Sequence, residues 1–289
     1  MKNVGLISIL AILCGFSFGC HVDAYAPKQY TFNVVTSIYS TIDVLPTSIP
    51  KTFVQGNTYR FVGEFDKLSV SNTQGVTFIG GSFKQFSLSN CKNIILKRVY
   101  VHDAAQDAFL LKSGCTTISL DNCSSYRSYR RGVQIDSGCS YITISYGNFS
   151  WAHGDKDADG IAADQVNGLT VTGTICSNNG TNQSVGGDGI QISGNSKNVK
   201  LYRCVLHNNG NGGFIEQSSM TYIQDCVSFQ NRHGFAASGG SINVVNGLAW
   251  ANDYGVFIYN EFGATKVTLV GSTFQGNKIK NIESNGNWQ

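Results

Sequence analysis

Apolar and polar positions alternate in short runs along most of the chain. Ile118-Ser119-Leu120, Ile142-Thr143-Ile144, Leu169-Thr170-Val171, Val199-Lys200-Leu201 and Val267-Thr268-Leu269 have the period-two pattern of strands. Each leads through an Asn-rich turn to a second run: Gly132-Val133-Gln134-Ile135, Gly160-Ile161-Ala162-Ala163, Gly189-Ile190-Gln191-Ile192, Gly213-Phe214-Ile215 and Gly255-Val256-Phe257-Ile258. No stretch holds a helical period for long. The units repeat: Cys91, Cys115 and Cys139 are each about 24 residues apart, and later units begin near Asn167, Ser196, Ser219, Ser241 and Ala264.

Asn179, Asn209, Asn231, Asn252 and Asn277 take the same place in successive units, where stacked amides can bond along a pile. Short strands, a repeat of about 24 residues and columns of Asn and Cys predict an all-β parallel β-helix, each coil pairing with its neighbours. The Leu-x-x-Leu-x-Leu-x-x-Asn signature of leucine-rich repeats is absent. Pro27, Pro46 and Pro50 are the only prolines, so residues 51–289 can donate every backbone N–H to the ladders. The expected organisation is a secretory signal peptide over 1–26, an N-terminal cap over 27–52 and one β-helix domain over 53–289. The segment after Lys278 is expected to cover the C-terminal end, because an open edge invites aggregation.

Lys2, the apolar run Val4–Phe18 and Ala24-Tyr25-Ala26 have the order of a signal peptide, and the run is too short for a stable membrane anchor. A secreted, monomeric protein is expected. Of 289 residues 13% are charged and the net charge is +3, which argues against a nucleic-acid partner. Removing the first 26 residues leaves Cys91, Cys115, Cys123, Cys139, Cys176, Cys204 and Cys226, read as a stack of small apolar side chains. Cys204 and Cys226 are near enough in register to pair if geometry permits.

Stacking turns sequence periodicity into rows of side chains. The residue before each second strand gives Asp107, Arg131, Asp159, Asp188, Gly212, His233 and Tyr254; an outward row gives Lys112, Asp136, Asp164, Ser193, Gln217, Ser238 and Tyr259. Adjacent carboxylates repel unless a cation or shared proton relieves them, an arrangement typical of sites. Turn chemistry at Asp159-Gly160 and Asp188-Gly189, with Arg131 as a plain ion-pair partner, is the competing structural account. The candidate catalytic groups are Asp159, Asp188, Arg131 and Lys112, and the candidate substrate contacts are Asp136, Asp164, Gln191, His233 and Trp151. Asp155-Lys156-Asp157-Ala158-Asp159-Gly160 matches the opening of a calcium loop, so Asp155, Asp157, Asp159 and Asp188 are candidate Ca²⁺ ligands. Trp151, Tyr126, Tyr129, Trp250, Phe257 and Tyr259 are candidates for a sugar-stacking platform.

The coil pattern resembles the right-handed parallel β-helix proteins of the pectin-lyase-like superfamily over nearly the whole mature chain. Asp157-Ala158-Asp159-Gly160-Ile161 and Gly187-Asp188-Gly189-Ile190 are similar to the positions where polygalacturonases carry Asn-Thr-Asp-Gly and Asp-Asp. That resemblance implies inverting hydrolysis with Asp159 and Asp188 as acid and base. Gly187 replaces the second Asp, and Asn211-Gly212-Gly213 stands where that family has Gly-His-Gly. The acidic row beside a basic residue resembles the calcium-dependent polysaccharide lyases, which implies Ca²⁺ on a uronate carboxylate and Arg131 or Lys112 removing the C5 proton. The expected partner is an extracellular, uronate-containing polysaccharide, cleaved by lyase or glycosidase chemistry. A non-catalytic carbohydrate-binding or adhesion protein is the alternative.

Overall fold

The computed structural model describes residues 40–154, 157–180, 186–217, 219–259 and 264–284. The signal-peptide segment, the first part of the expected cap and Asp155 lie outside these residues. Among the described residues all regular structure is β, and every strand pairing is parallel. Each coil contributes one strand to each of three sheets. The first sheet stacks Lys92–Lys97, Thr116–Asp121, Ser140–Ser145, Asn167–Thr172, Lys197–Tyr202, Met220–Gln224, Ser241–Val245 and Lys266–Val270. The second stacks Tyr100–His102, Ser124–Tyr126, Asn148–Ser150, Ile175–Ser177, Val205–His207, Val227–Phe229, Leu248–Trp250 and Thr273–Gln275. The third stacks Phe109–Leu111, Val133–Ile135, Ile161–Asp164, Ile190–Ser193, Gly212–Gln217, His233–Ser238, Tyr254–Tyr259 and Lys280–Ser284.

The second sheet is a correction to the two-strand unit: its three-residue strands sit within what the sequence presents as the Asn-rich turn. They are too short to show a period, and neighbouring coils hold them in place. Thr58–Ser71 and Gln74–Ser89 run around whole coils, and the latter pairs in turn with Lys92–Lys97, Tyr100–His102 and Phe109–Leu111. Thr41–Val44 pairs with Thr58–Phe61, and the Phe53 ring lies 4.9 Å from both Tyr59 and Phe78 at the N-terminal end. At the other end, Lys280–Ser284 is not the expected cover. It is the third strand of the last coil, pairing with Tyr254–Ile258.

Inward columns form a continuous core. Ile94, Ile118, Ile142, Leu169 and Val199 stack in register in the first sheet, and Phe109, Val133, Ile161, Ile190, Phe214, Phe235 and Val256 in the third. The corner after the first sheet holds Arg98, Asn122, Tyr146, Gly173, Arg203, Asp225, Asn246 and Gly271 at φ between 52 and 60°, which explains its wealth of Asn, Asp and Gly. The seven described cysteines are buried free thiols, and the Cys204 N–H meets the Cys226 sulfur at 3.4 Å. They fill the core as small side chains.

The Asn column is a hydrogen-bonded ladder. Nδ2 of Asn179, Asn209, Asn231 and Asn252 donates to Oδ1 of the next Asn at 3.0, 3.0, 3.2 and 3.2 Å. No helix of the described residues is long and apolar enough to cross a membrane.

Candidate functional site

Most of the candidate residues gather on the outer face of the third sheet, where a turn at each coil leads from the Asn ladder into the strand. Gly160 and Gly189 make that turn possible: a Cβ at either would collide with a carbonyl of the next coil, Gly189 O or Gly213 O, and with a ladder amide. The preceding Asp then caps the coil above. Asp107 Oδ1 accepts the Arg131 N–H at 3.3 Å, Asp159 Oδ1 the Asp188 N–H at 2.8 Å, and Asp188 Oδ1 the Gly212 N–H at 2.7 Å.

Arg131 lies across this row. Its Nε donates to Asp159 Oδ2 at 3.4 Å and its other arm reaches Asp157 at 3.3 Å, while Arg130 lies 3.5 Å from Asp157 and 3.8 Å from Asp107. Asp159 and Asp188 are only 1% and 2% exposed. Burial pushes Asp159 up to about 6 against the pull of the Asp188 N–H and Arg131. Burial and then the neighbouring Asp159 charge push Asp188 well above the ordinary carboxylate value. The pair therefore keeps a proton toward neutral pH.

Asp159 and Asp188, the candidate acid and base, are thus buried behind the face. Just before Asp188, the Gly186 backbone packs against the Asp157 backbone. Gly187 sits at φ 138° with Gly180 and the Asn179 carbonyl where a side chain would go, so a second Asp has no room there. At Gly212 the Ile215 side chain fills the corresponding space. Both departures from the polygalacturonase pattern thus have a packing cause.

The outward side of the sheet is accessible around the early coils. Lys112 is exposed, and Asp136, Asp164 and Gln191 are half-buried. Gln134 donates to Asp136 at 3.1 Å and the Ser193 hydroxyl to Asp164 at 3.1 Å, which fixes both carboxylates. His233 is 1% exposed and does not face a substrate directly. Burial, then the nearby Arg232 charge, pulls its imidazole down to about 4, so it is neutral. Its ring nitrogens lie 3.2 and 3.3 Å from the Tyr259 hydroxyl. Trp151 is exposed at the corner between the second and third sheets, 6.4 Å from Tyr126, and belongs to a different face.

The calcium expectation does not fit these residues. Guanidinium groups already face Asp157 and Asp159, and each buried Asp has one oxygen committed to a main-chain N–H. Among the described residues no three His, Cys, Asp or Glu side chains converge as a metal cage.

Two features escaped the sequence reading. On the second sheet's outer face, Asp103 binds Arg127 at 2.7 Å and His102 at 2.7 Å, with Lys84 3.7 Å from Asp103 and Glu64 3.7 Å from His102. Arg127 and then His102 hold the Asp103 carboxyl down to about 2. Beside it lies a groove of about 420 Å³ lined by Pro46, Ile49, Glu64, Asp66, Lys67 and Lys84. Extending the register upstream of Cys91 would have aligned Lys84, His102 and Tyr126. The second feature is Glu216, fully buried and in register with core residues Ile192 and Ala237; burial raises its carboxyl to about 8. One of its oxygens accepts the Ser219 N–H and the other has no partner among the described residues.

Residues 131–288 match the family described as right handed beta helix region. An alginate lyase from Paenibacillus sp. str. FPU-7 has a similar structure, with TM-score 0.63 and 11% identity over 86% of this chain and 98% of that one. The A-module of the mannuronan C-5 epimerase AlgE6 of Azotobacter vinelandii is similar with TM-score 0.55 and 10% identity over 86% of this chain and 90% of that one. No curated protein matches the sequence. The three-sheet parallel coil, the in-register core and the family match agree, and the chain belongs to the right-handed β-helix family with a pectin-lyase-like fold.

Proposed function

We propose that this is a secreted, carbohydrate-active β-helix protein that binds and cleaves an extended, uronate-containing polysaccharide on the outer face of its third sheet. The observation that carries this reading is the inventory of that single face. Accessible Lys112, Asp136, Asp164 and Gln191 and partly exposed Arg131 lie in rows spaced by one coil, with a proton-holding carboxyl pair behind Arg131. A polymer along the solenoid axis meets a new coil roughly every 4.8 Å.

Arg131 and Lys112 are the cations for a uronate carboxylate; neutralising that charge acidifies the adjacent C5 proton. Asp159 acts through Arg131, holding its guanidinium, and Asp188 props Asp159 through its N–H. Asp136 and Asp164, half-buried but open to solvent, are the groups suited to proton transfer. An alginate lyase and a mannuronan epimerase share this fold, which supports the substrate class.

The test is incubation of the purified protein with pectate, alginate and other uronans, recording unsaturated-uronate absorbance and reducing ends together. Reducing ends with the absorbance identify elimination, and reducing ends alone identify hydrolysis. One observation favours a second reading, the non-catalytic binder: both central carboxylates are buried and bonded to main-chain N–H groups. Tight binding to intact polymer with no product would select it.

A further inference from the structure

The outward side of the third sheet changes character along the axis. In the early coils its middle row reads Leu110, Gln134, Ala162 and Gln191; in the next three coils the same row reads Ile215, Ala236 and Phe257, before Glu283 in the last. These three form a small apolar cluster outside the solenoid core, with Tyr254 and Tyr259 packed on it and half exposed. An outward sheet face normally alternates to polar; here the apolar cluster is buried, and the half-exposed Tyr254 and Tyr259 are the layer it presents to solvent.

The tyrosines are held in place. Phe257 lies 4.8 Å from Tyr254 and 4.5 Å from Tyr259, and His233 lies 4.7 Å from Phe257. The Tyr259 hydroxyl is anchored on the His233 ring. A neutral imidazole suits this role, because it holds the phenol without placing a charge beneath an apolar surface.

We propose that Tyr254 and Tyr259, seated on Phe257 and His233, form an aromatic subsite for a pyranose ring at the C-terminal end of the polysaccharide-binding face. The inference rests on the function proposed above and gives the face a polarity: charged groups around Arg131 take the uronate carboxylates, and the tyrosines take the apolar face of a sugar further along. Four coils separate Asp159 from Tyr254, roughly 19 Å at the parallel-strand spacing. A short oligosaccharide engages one end only, while a long one engages both.

The experiment compares binding of galacturonate and mannuronate disaccharides and octasaccharides by calorimetry to the wild type, Tyr254→Ala/Tyr259→Ala and Tyr259→Phe, with thermal melting as a check on folding. The double variant is expected to bind the octasaccharide about tenfold more weakly and to lose most of its advantage over the disaccharide, while Tyr259→Phe keeps most of it. Equal octasaccharide affinity in the double variant and the wild type would overturn the subsite and leave the functional reading standing. A wild type that binds neither length would overturn both. Should the double variant melt early, single Tyr254→Ala and Tyr259→Ala variants serve, each expected to lose part of the octasaccharide affinity and none of the disaccharide's.

Discussion

The Asn ladder and the Asp row run side by side up the same solenoid, separated by one tight turn. In the ladder each amide both donates and accepts. Asn231 takes the Asn209 N–H and Nδ2 on its oxygen and gives its own Nδ2 to the Leu206 carbonyl, Asn252 and Ser228. Nothing in it titrates, so its bonds persist at any pH at which the coils are folded. An ionised Asp only accepts, and two stacked carboxylates cannot bond to each other without a proton. Asp159 and Asp188 do the same capping task toward the next coil's N–H, yet burial and mutual repulsion keep a proton on the pair. One column is a neutral scaffold and the other a titratable one beside an arginine, which is why the second attracts a functional reading.

The largest expected effect lies in the ladder. Asn231→Leu strands the Leu206 carbonyl and the Asn209 N–H in the interior, and is expected to lose about 3–5 kcal/mol in a denaturant titration. By contrast Asp188→Asn keeps an oxygen for the Gly212 N–H and should leave the fold intact, so a comparable loss there would erase the distinction between the columns.

Next in size is Arg131→Ala, which removes the partly exposed cation and should weaken binding to a long uronan about tenfold or more. Asp159→Asn should give a smaller loss, because it frees Arg131 without removing it. Equal losses would mean that Arg131 meets the polymer only when Asp159 holds its guanidinium in place.

Smaller still is a pH effect with a definite sign. The folded pKa values of Asp159 and Asp188 lie above the ordinary value of 3.8, so the folded state binds more protons than the unfolded chain in that window. Their contribution is fully present below about 4 and is lost as pH rises through about 6 and beyond. Asp188→Asn should flatten this decline in melting temperature. Glu216→Gln should remove a separate decline between the ordinary 4.5 and about 8. His233 acts in the opposite direction, losing stability as pH falls from 6.5 toward 4, so each slope is best read as a difference between variant and wild type.

Much of this architecture was legible in the sequence because stacking repeats it. The Cys and Asn columns gave the coil period, and the residue before each Gly gave the row of Asp107, Arg131, Asp159 and Asp188. Coil length was less regular than that period: Ile142 pairs with Leu169 and Leu169 with Val199, wider steps than from Ile118 to Ile142. Exposure was not legible. Asp159 and Asp188 have the sequence context of an exposed turn and are buried by a tertiary arrangement around Asp157 and Gly187. His233 shares their row, but the tyrosines of the next coil enclose it. Glu216 occupies an inward position where alternation would place an apolar residue, and only the register with Ile192 and Ala237 reveals that.

The most direct test of the central claim is the wild-type protein and Arg131→Ala assayed side by side on pectate and alginate, following unsaturated-uronate absorbance and reducing ends with bound polymer measured in parallel. The account predicts product from at least one uronan with the wild type and a sharp loss of both binding and product in the variant. Absence of binding and of product across the uronans, or turnover untouched by Arg131→Ala, would contradict it.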